Sequence, residues 1–187
     1  MTDEVSIGSA RLAIVRDDIT RVEADAIVNA ANEGLAGGGG VDGAIHRAGG
    51  RAIMADLERR YGPLGERRCP TGSAVITVAG DLPASWVIHA VGPVWRGGDR
   101  GEPALLAGAY RRSIELATEA GARTVTFPAI SCGIYGYPLA DGARLALETI
   151  ADALRQGSTG IERATFVLFS ADTLDAFATR LQRLTPG

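Results

Sequence analysis

"NAANEGLAGGGGVDGAIHRAGG", residues 29–50, places six glycines within ten positions, from Gly34 to Gly43. A flexible linker would carry serines and no apolar anchors. This run instead lies between an apolar segment, "ADAIV", and an amphipathic one, "AIHRAGGRAIMADLERRYG". It reads as the turn between a strand and a helix that begins near Gly43. A strand that delivers a glycine loop to a helix mouth is the unit of an α/β fold. The glycines let backbone amides approach a ligand, because no Cβ intervenes. The free amides and the positive end of the helix favour phosphate.

The segments on either side repeat the pattern. Apolar runs with strand character are 11–15, 25–30, 73–80, 86–91, 124–130 and 164–169. Most are near-continuous, as expected of strands covered on both faces. Helical patterns alternate with them. One starts at Pro103 and shows Leu106, Tyr110, Ile114 and Ala117. Another starts at Pro138 and shows Ala143, Leu147, Ile150 and Leu154. A third opens at Asp172, a cap for free amides, with Leu174, Phe177 and Leu181. No helix fits between 11–15 and 25–30, or between 73–80 and 86–91. The expectation is therefore a mixed sheet between layers of helices.

Composition sets bounds on function. The chain has 187 residues, 46% of them hydrophobic, which suits a single domain with a full core. The net charge is −3 with no basic block, which weighs against binding that depends on neutralising nucleic-acid phosphates. No apolar run approaches membrane-helix length, and the start carries acids with no hydrophobic leader, so no membrane association and a cytoplasmic location are expected. Cys69 and Cys132 give no disulfide framework. With His46 and His89 they lack the close ligand spacing of structural zinc, and His89 reads as a strand residue.

Two nucleotide motifs can be tried on the glycine run. The Walker pattern fails because no lysine follows the glycines. G-x-G-x-x-G matches at Gly38, Gly40 and Gly43, but it does not follow its strand at once, and the next strand ends near Gly80, so the acid at its end, Asp81, lies much too far along. A second loop, "FPAISCGIYGYP" (127–138), also leaves a strand and enters a helix. Two such loops at the carboxyl ends of strands can grip a diphosphate from both sides. Cys132 in that loop raises the alternative of a thiolate nucleophile, which would need His89 or His46 as its base.

Taken in order, "DDIT" (17–20), "AIVNAANEGLAGGGGVDGAIHRAGG" (26–50), "CPTGSA" (69–74), "LPASWVIHAVGPVW" (82–95) and "PAISCGIYGYP" (128–138) resemble the signature blocks of the macrodomain family. The branch is that of the MacroD-type O-acetyl-ADP-ribose deacetylases and mono-ADP-ribosyl hydrolases. The resemblance implies an α/β fold, a three-layer α/β/α sandwich with a central mixed β-sheet, formed by residues 1–187 as a single macrodomain. It implies that Asp18 and the Ile19 amide meet adenine, with Phe169 either stacking on the ring or filling core. Thr20 and Glu23 look like a capping box, which would leave Asp18 free for that task. Asn32 and Asp42 would face the distal ribose and the bond to be cut. Gly40 and Val41 lie at the helix mouth beside them, and Gly40 is where an added Cβ should hurt binding most. Asn29 would hold the loop by side-chain-to-backbone bonds. Ser131, Cys132, Gly133, Ile134 and Tyr135 would wrap the phosphates with amides.

The implied reaction is hydrolysis of esters on the distal ribose of ADP-ribose. Its substrates would be O-acetyl-ADP-ribose and mono-ADP-ribosylated acidic side chains of proteins. No cofactor and no metal are implied. A carboxylate is a weak base, so Asp42 would orient and polarise a water more than deprotonate it. The alternatives are a non-catalytic ADP-ribose reader and a hydrolase acting on ADP-ribosylated nucleic acid; the Asn32/Asp42 pair favours an enzyme. Two residues depart from the family pattern. Cys132 stands where threonine is frequent, and Glu33 replaces serine, so its charge beside Asn32 bears on the leaving group accepted.

Overall fold

The computed structural model describes residues 3–157 and 159–184. Among them are seven strands, namely β1 (Asp3–Ile7), β2 (Ala10–Arg16), β3 (Ala26–Ala30), β4 (Ala74–Val78), β5 (Trp86–Ala90), β6 (Thr124–Phe127) and β7 (Arg163–Leu168). The α-helices are α1 (Gly40–Gly49), α2 (Arg51–Tyr61), α3 (Glu102–Glu119), α4 (Leu139–Arg155) and α5 (Ala171–Leu181). The strands form one sheet in the order β1-β2-β7-β6-β3-β5-β4. The five inner strands are parallel, and the two edge strands, β1 and β4, run antiparallel to their neighbours.

The apolar runs are explained by burial on both faces. Neighbouring residues of β3 go to opposite cores: Val28 packs with Tyr110, Phe127 and Phe166, whereas Ile27 packs with Ile45, Ile53 and Leu57. Val87 and Ile88 divide in the same way on β5. Helices α3, α4 and α5 cover the first face; α1, α2 and a 3-10 turn at Ile19–Arg21 cover the second. The first core centres on aromatic rings, with Phe127 and Phe166 stacked at 5.4 Å and Phe177 5.0 Å from Phe166. The three-layer sandwich expected from the sequence is present.

Several boundaries differ from the sequence reading, each for a local reason. β1 was not foreseen, because "DEVSI" is mostly exposed; a two-residue turn with Gly8 at φ +60° folds it onto β2. β2 and β3 do not pair. They run parallel with β7 and β6 between them, so the short connection carries the chain across the sheet. β6 stops at Phe127, before Pro128. Ser170, not Asp172, caps α5, accepting from the Thr173 amide at 3.2 Å. Pro138 is the residue before α4. Helix α1 begins at Gly40, three residues earlier than expected.

The open edge of β4 is blunted by side chains of α2. Tyr61 donates to the Ile76 carbonyl at 2.8 Å and accepts from the Ile76 amide at 3.2 Å. Buried Asp56 accepts from the Val78 amide at 3.0 Å. An edge with its amides satisfied does not template a foreign strand.

Candidate active site

Because β2, β7, β6, β3 and β5 are parallel, the loops that follow them emerge along one edge of the sheet. Those loops carry Asp18 and Ile19, Phe169, residues 128–138, the glycine run, and Gly92. The sheet therefore gathers the candidate ligand-binding residues at the carboxyl ends of its strands, where open α/β sheets bind ligands.

The glycine run and the 128–138 loop face each other. A Cβ built on Gly39 would lie 3.6 Å from the Cδ1 of Ile134, which is itself 82% exposed. Among the described residues, the amides of Gly38, Gly39, Gly40, Val41 and Asp42 have no intramolecular acceptor; Gly43 is the first to bond back, to the Gly39 carbonyl at 3.3 Å. Across the gap the amides of Ser131, Gly133, Ile134 and Tyr135 are equally unpaired. Two rows of free donors meet at the N-terminus of α1, an arrangement suited to anionic oxygens.

Individual glycines have separate tasks. Gly40 sits at φ +59°, and a Cβ placed on it would meet nothing within 4 Å, so the turn requires glycine there and close packing does not. A Cβ on Gly43 would collide with the Gly38 carbonyl oxygen, and one on Gly38 would stand 3.3 Å from Asp42 Oδ2. Gly39 has extended backbone, and a Cβ on it would meet only Ile134, at ordinary contact distance.

Asp42 lies in the first turn of α1 and is only 5% exposed. It is not a helix cap. Its Oδ1 accepts from Asn29 Nδ2 at 2.7 Å and lies 3.4 Å from His46 Nε2. Its Oδ2 faces Gly38 and the glycine run. Asn29 holds Asp42 where bonds to the loop backbone were expected, and Asn32 carries those loop bonds beside the ligand-facing part expected of it. Asn32 holds the loop, donating from Nδ2 to the Gly37 carbonyl at 2.9 Å and accepting at Oδ1 from the Ala36 amide at 3.2 Å. Its second Nδ2 hydrogen remains for a ligand near Gly38. Asn29 is fully buried and makes no bond to the loop backbone.

Asp18 is the cap that the sequence reading assigned elsewhere. Its Oδ1 accepts from the Thr20 amide at 3.0 Å and the Thr20 hydroxyl at 2.7 Å. These bonds hold its carboxyl below the usual carboxylate range. Oδ2 is left with only a 3.7 Å approach to Arg21. Phe169 is 82% exposed, which removes the core reading. The Cys132 thiol is pushed up to about 12 by burial alone and so stays protonated. His89 is committed to Thr77 and Asn29, so it is not placed as the base of a thiolate.

Glu33 does not point its charge at Asn32. It accepts from the Thr71 amide at 3.0 Å, the Thr71 hydroxyl at 2.8 Å and Arg67 at 2.7 Å, and Thr71 first, then Arg67, hold its carboxyl low. Its role is to pin residues 67–71 beneath the glycine loop.

The roles of other supporting residues escaped the sequence reading. His46 stands four positions after Asp42 on α1, and that spacing alone makes the pair legible, but as a zinc ligand or a thiolate base it draws attention to the wrong partners. Tyr110 of α3 donates to the Pro128 carbonyl at 3.1 Å and accepts from the Ile130 amide at 2.9 Å, anchoring the start of the second loop. Gly92 permits the buried Ser131, which adopts φ +65°, because a Cβ there would collide with the Ser131 hydroxyl. The Trp95 amide donates to the Tyr135 carbonyl at 2.8 Å. The contacts of Tyr110, Gly92 and Trp95 have no signal in local sequence.

Known proteins resemble this chain in sequence and in fold. The Macro domain family model matches residues 28–146. An O-acetyl-ADP-ribose deacetylase of Klebsiella pneumoniae is 52% identical over 160 residues, which are 86% of this chain and 90% of that protein. A solved macrodomain of Oceanobacillus iheyensis with ADP superposes with a TM-score of 0.91 at 39% identity, covering 98% of this chain and 96% of that one. A Trypanosoma brucei macrodomain in complex with ADP-ribose gives 0.78 at 37% identity, covering 90% of this chain and 68% of that one.

Proposed function

The chain belongs to the macro domain family, and from that premise we propose that it binds ADP-ribose between its two glycine-bearing loops and hydrolyses O-acetyl-ADP-ribose. The observation that carries the reading is Asp42. It is a buried carboxylate with one oxygen tied down by Asn29 and the other turned toward the glycine run and its free amides.

In this reading the diphosphate lies between the amides of 38–42 and those of 131–135. Asp18 Oδ2 and the Ile19 amide meet adenine, and exposed Phe169 stacks on the ring. The distal ribose then reaches the Asn32 amide and Asp42 Oδ2. Asp42 orients a water against the ester, with the bound phosphate close by, and most of the rate comes from positioning. The same arrangement would release ADP-ribose from acidic side chains of proteins, whose linkage is also an ester of the distal ribose. The mechanism assigns water activation to Asp42 and needs no metal.

Incubation with O-acetyl-ADP-ribose and with ADP-ribose linked to protein carboxylates, to a nucleic-acid base and to a terminal phosphate tests the reading. Hydrolysis of the first two supports it. Binding of ADP-ribose without release from any of the four would make the protein a reader.

A further inference from the structure

Asp42 can work only in one orientation, and the groups that fix that orientation lie behind it in three adjacent strands. We propose that His89 is a positioning residue for the hydrolysis: fixed by Thr77 as the Nε2–H imidazole, it keeps the Asn29 amide turned with its NH2 on Asp42. The inference rests on the hydrolase reading above and extends it to residues that no ligand would touch.

The direction of each hydrogen bond follows from the one before. The Thr77 hydroxyl donates to the Val78 carbonyl at 3.0 Å, and a carbonyl can only accept. The Thr77 oxygen therefore has only lone pairs to offer His89 Nε2, 3.0 Å away. Nε2 must carry the hydrogen. Burial holds the His89 pKa down to about 3, so the ring is neutral and its Nδ1 is bare. Bare Nδ1 lies 3.1 Å from Asn29 Nδ2 and accepts one of its hydrogens. The other hydrogen of that amide goes to Asp42 Oδ1 at 2.7 Å.

A flipped Asn29 would set its oxygen against both a bare ring nitrogen and a carboxylate. Both ends of the network reject that orientation. Thr77, His89 and Asn29 are each 0% exposed, so no water can substitute for a missing partner, and mismatches there are costly. Register makes the arrangement rigid, because Asn29 of β3 pairs directly with His89 of β5. With Oδ1 held by Asn29 and approached by His46, Oδ2 is the oxygen left for the cleft.

The test combines kinetics, ADP-ribose titration and 15N NMR of the histidine rings. Wild-type His89 should show the Nε2–H tautomer. His89→Leu should lower kcat on O-acetyl-ADP-ribose about ten- to a hundredfold, the scale of a misplaced catalytic group, with ADP-ribose Kd within about threefold. His89→Asn offers an acceptor near the Nδ1 position and should recover most of that loss. Thr77→Val keeps the side-chain volume and frees the tautomer; it should also lower kcat with Kd kept, and it carries the test if His89→Leu does not fold. An Nδ1–H tautomer in the wild type, an unchanged kcat in His89→Leu, or equal losses in His89→Leu and His89→Asn would each overturn the role of His89. No turnover by the wild type would instead overturn the hydrolase reading itself.

Discussion

Asn29 and Asp42, thirteen positions apart and on either side of the glycine run, are joined by a 2.7 Å hydrogen bond from Nδ2 to Oδ1. The bond ties the end of β3 to the first turn of α1. The intervening loop is thereby closed at its base, and the bonds of Asn32 to Gly37 and Ala36 hold it from within.

Two glycines in that loop should respond to valine in opposite ways. Gly40→Val places a β-branched residue at φ +59° and should cost about 1–2 kcal/mol of stability. Gly39→Val meets only Ile134 in the free protein; it should lower the melting temperature less and weaken ADP-ribose more, by about tenfold. Melting curves and titrations on the same two samples check this. Equal effects on both readouts would mean that the run serves only to form a turn.

Phe169→Ala should leave the melting temperature unchanged, because the ring is exposed in the free protein. It should weaken ADP-ribose by about 1–3 kcal/mol, the range for loss of a base-stacking aromatic ring. Titrating ADP-ribose beside ribose 5-phosphate locates the effect. An equal loss for both ligands would remove Phe169 from the adenine end.

The fold was legible wherever burial was two-sided. Ile27 with Val28 and Val87 with Ile88 go to opposite cores, so their strands read as unbroken apolar runs. β1 escaped because an exposed edge strand has no such run. The choice between Ser170 and Asp172 as a cap depends on one residue of backbone geometry, and both side chains are chemically suited. At the site, the residue set came from motif blocks, whereas the division of labour between Asn29 and Asn32 did not. Which amide faces Asp42 depends on the path of the loop, and the Thr77–His89–Asn29 network joins three strands that are distant in sequence.

Acid should destabilise the protein earlier than its carboxylates alone would. His89 is held neutral down to about 3 in the fold, while an unfolded histidine takes a proton near its ordinary value of 6.5. Between those values the unfolded state binds the extra proton, so stability rises with pH there and falls on acidification. The melting temperature should begin to drop below about pH 6.5, and His89→Asn should flatten that first part of the decline. The same slope in both proteins would assign the loss to other groups.

Turnover should be unchanged after dialysis against EDTA, because the account gives water activation to Asp42 and the bound phosphate. Loss of activity in EDTA that a divalent cation restores would transfer that task to a metal.

The central claim is that Asp42 acts on the bond being cut while the rest of the cleft holds the ligand. Measuring kcat on O-acetyl-ADP-ribose and Kd for ADP-ribose with Asp42→Ala tests it most directly. The account predicts that turnover is abolished and that ADP-ribose binds within about tenfold of the wild type, since the aspartate meets only one end of the ligand. Near-normal turnover by Asp42→Ala would contradict it.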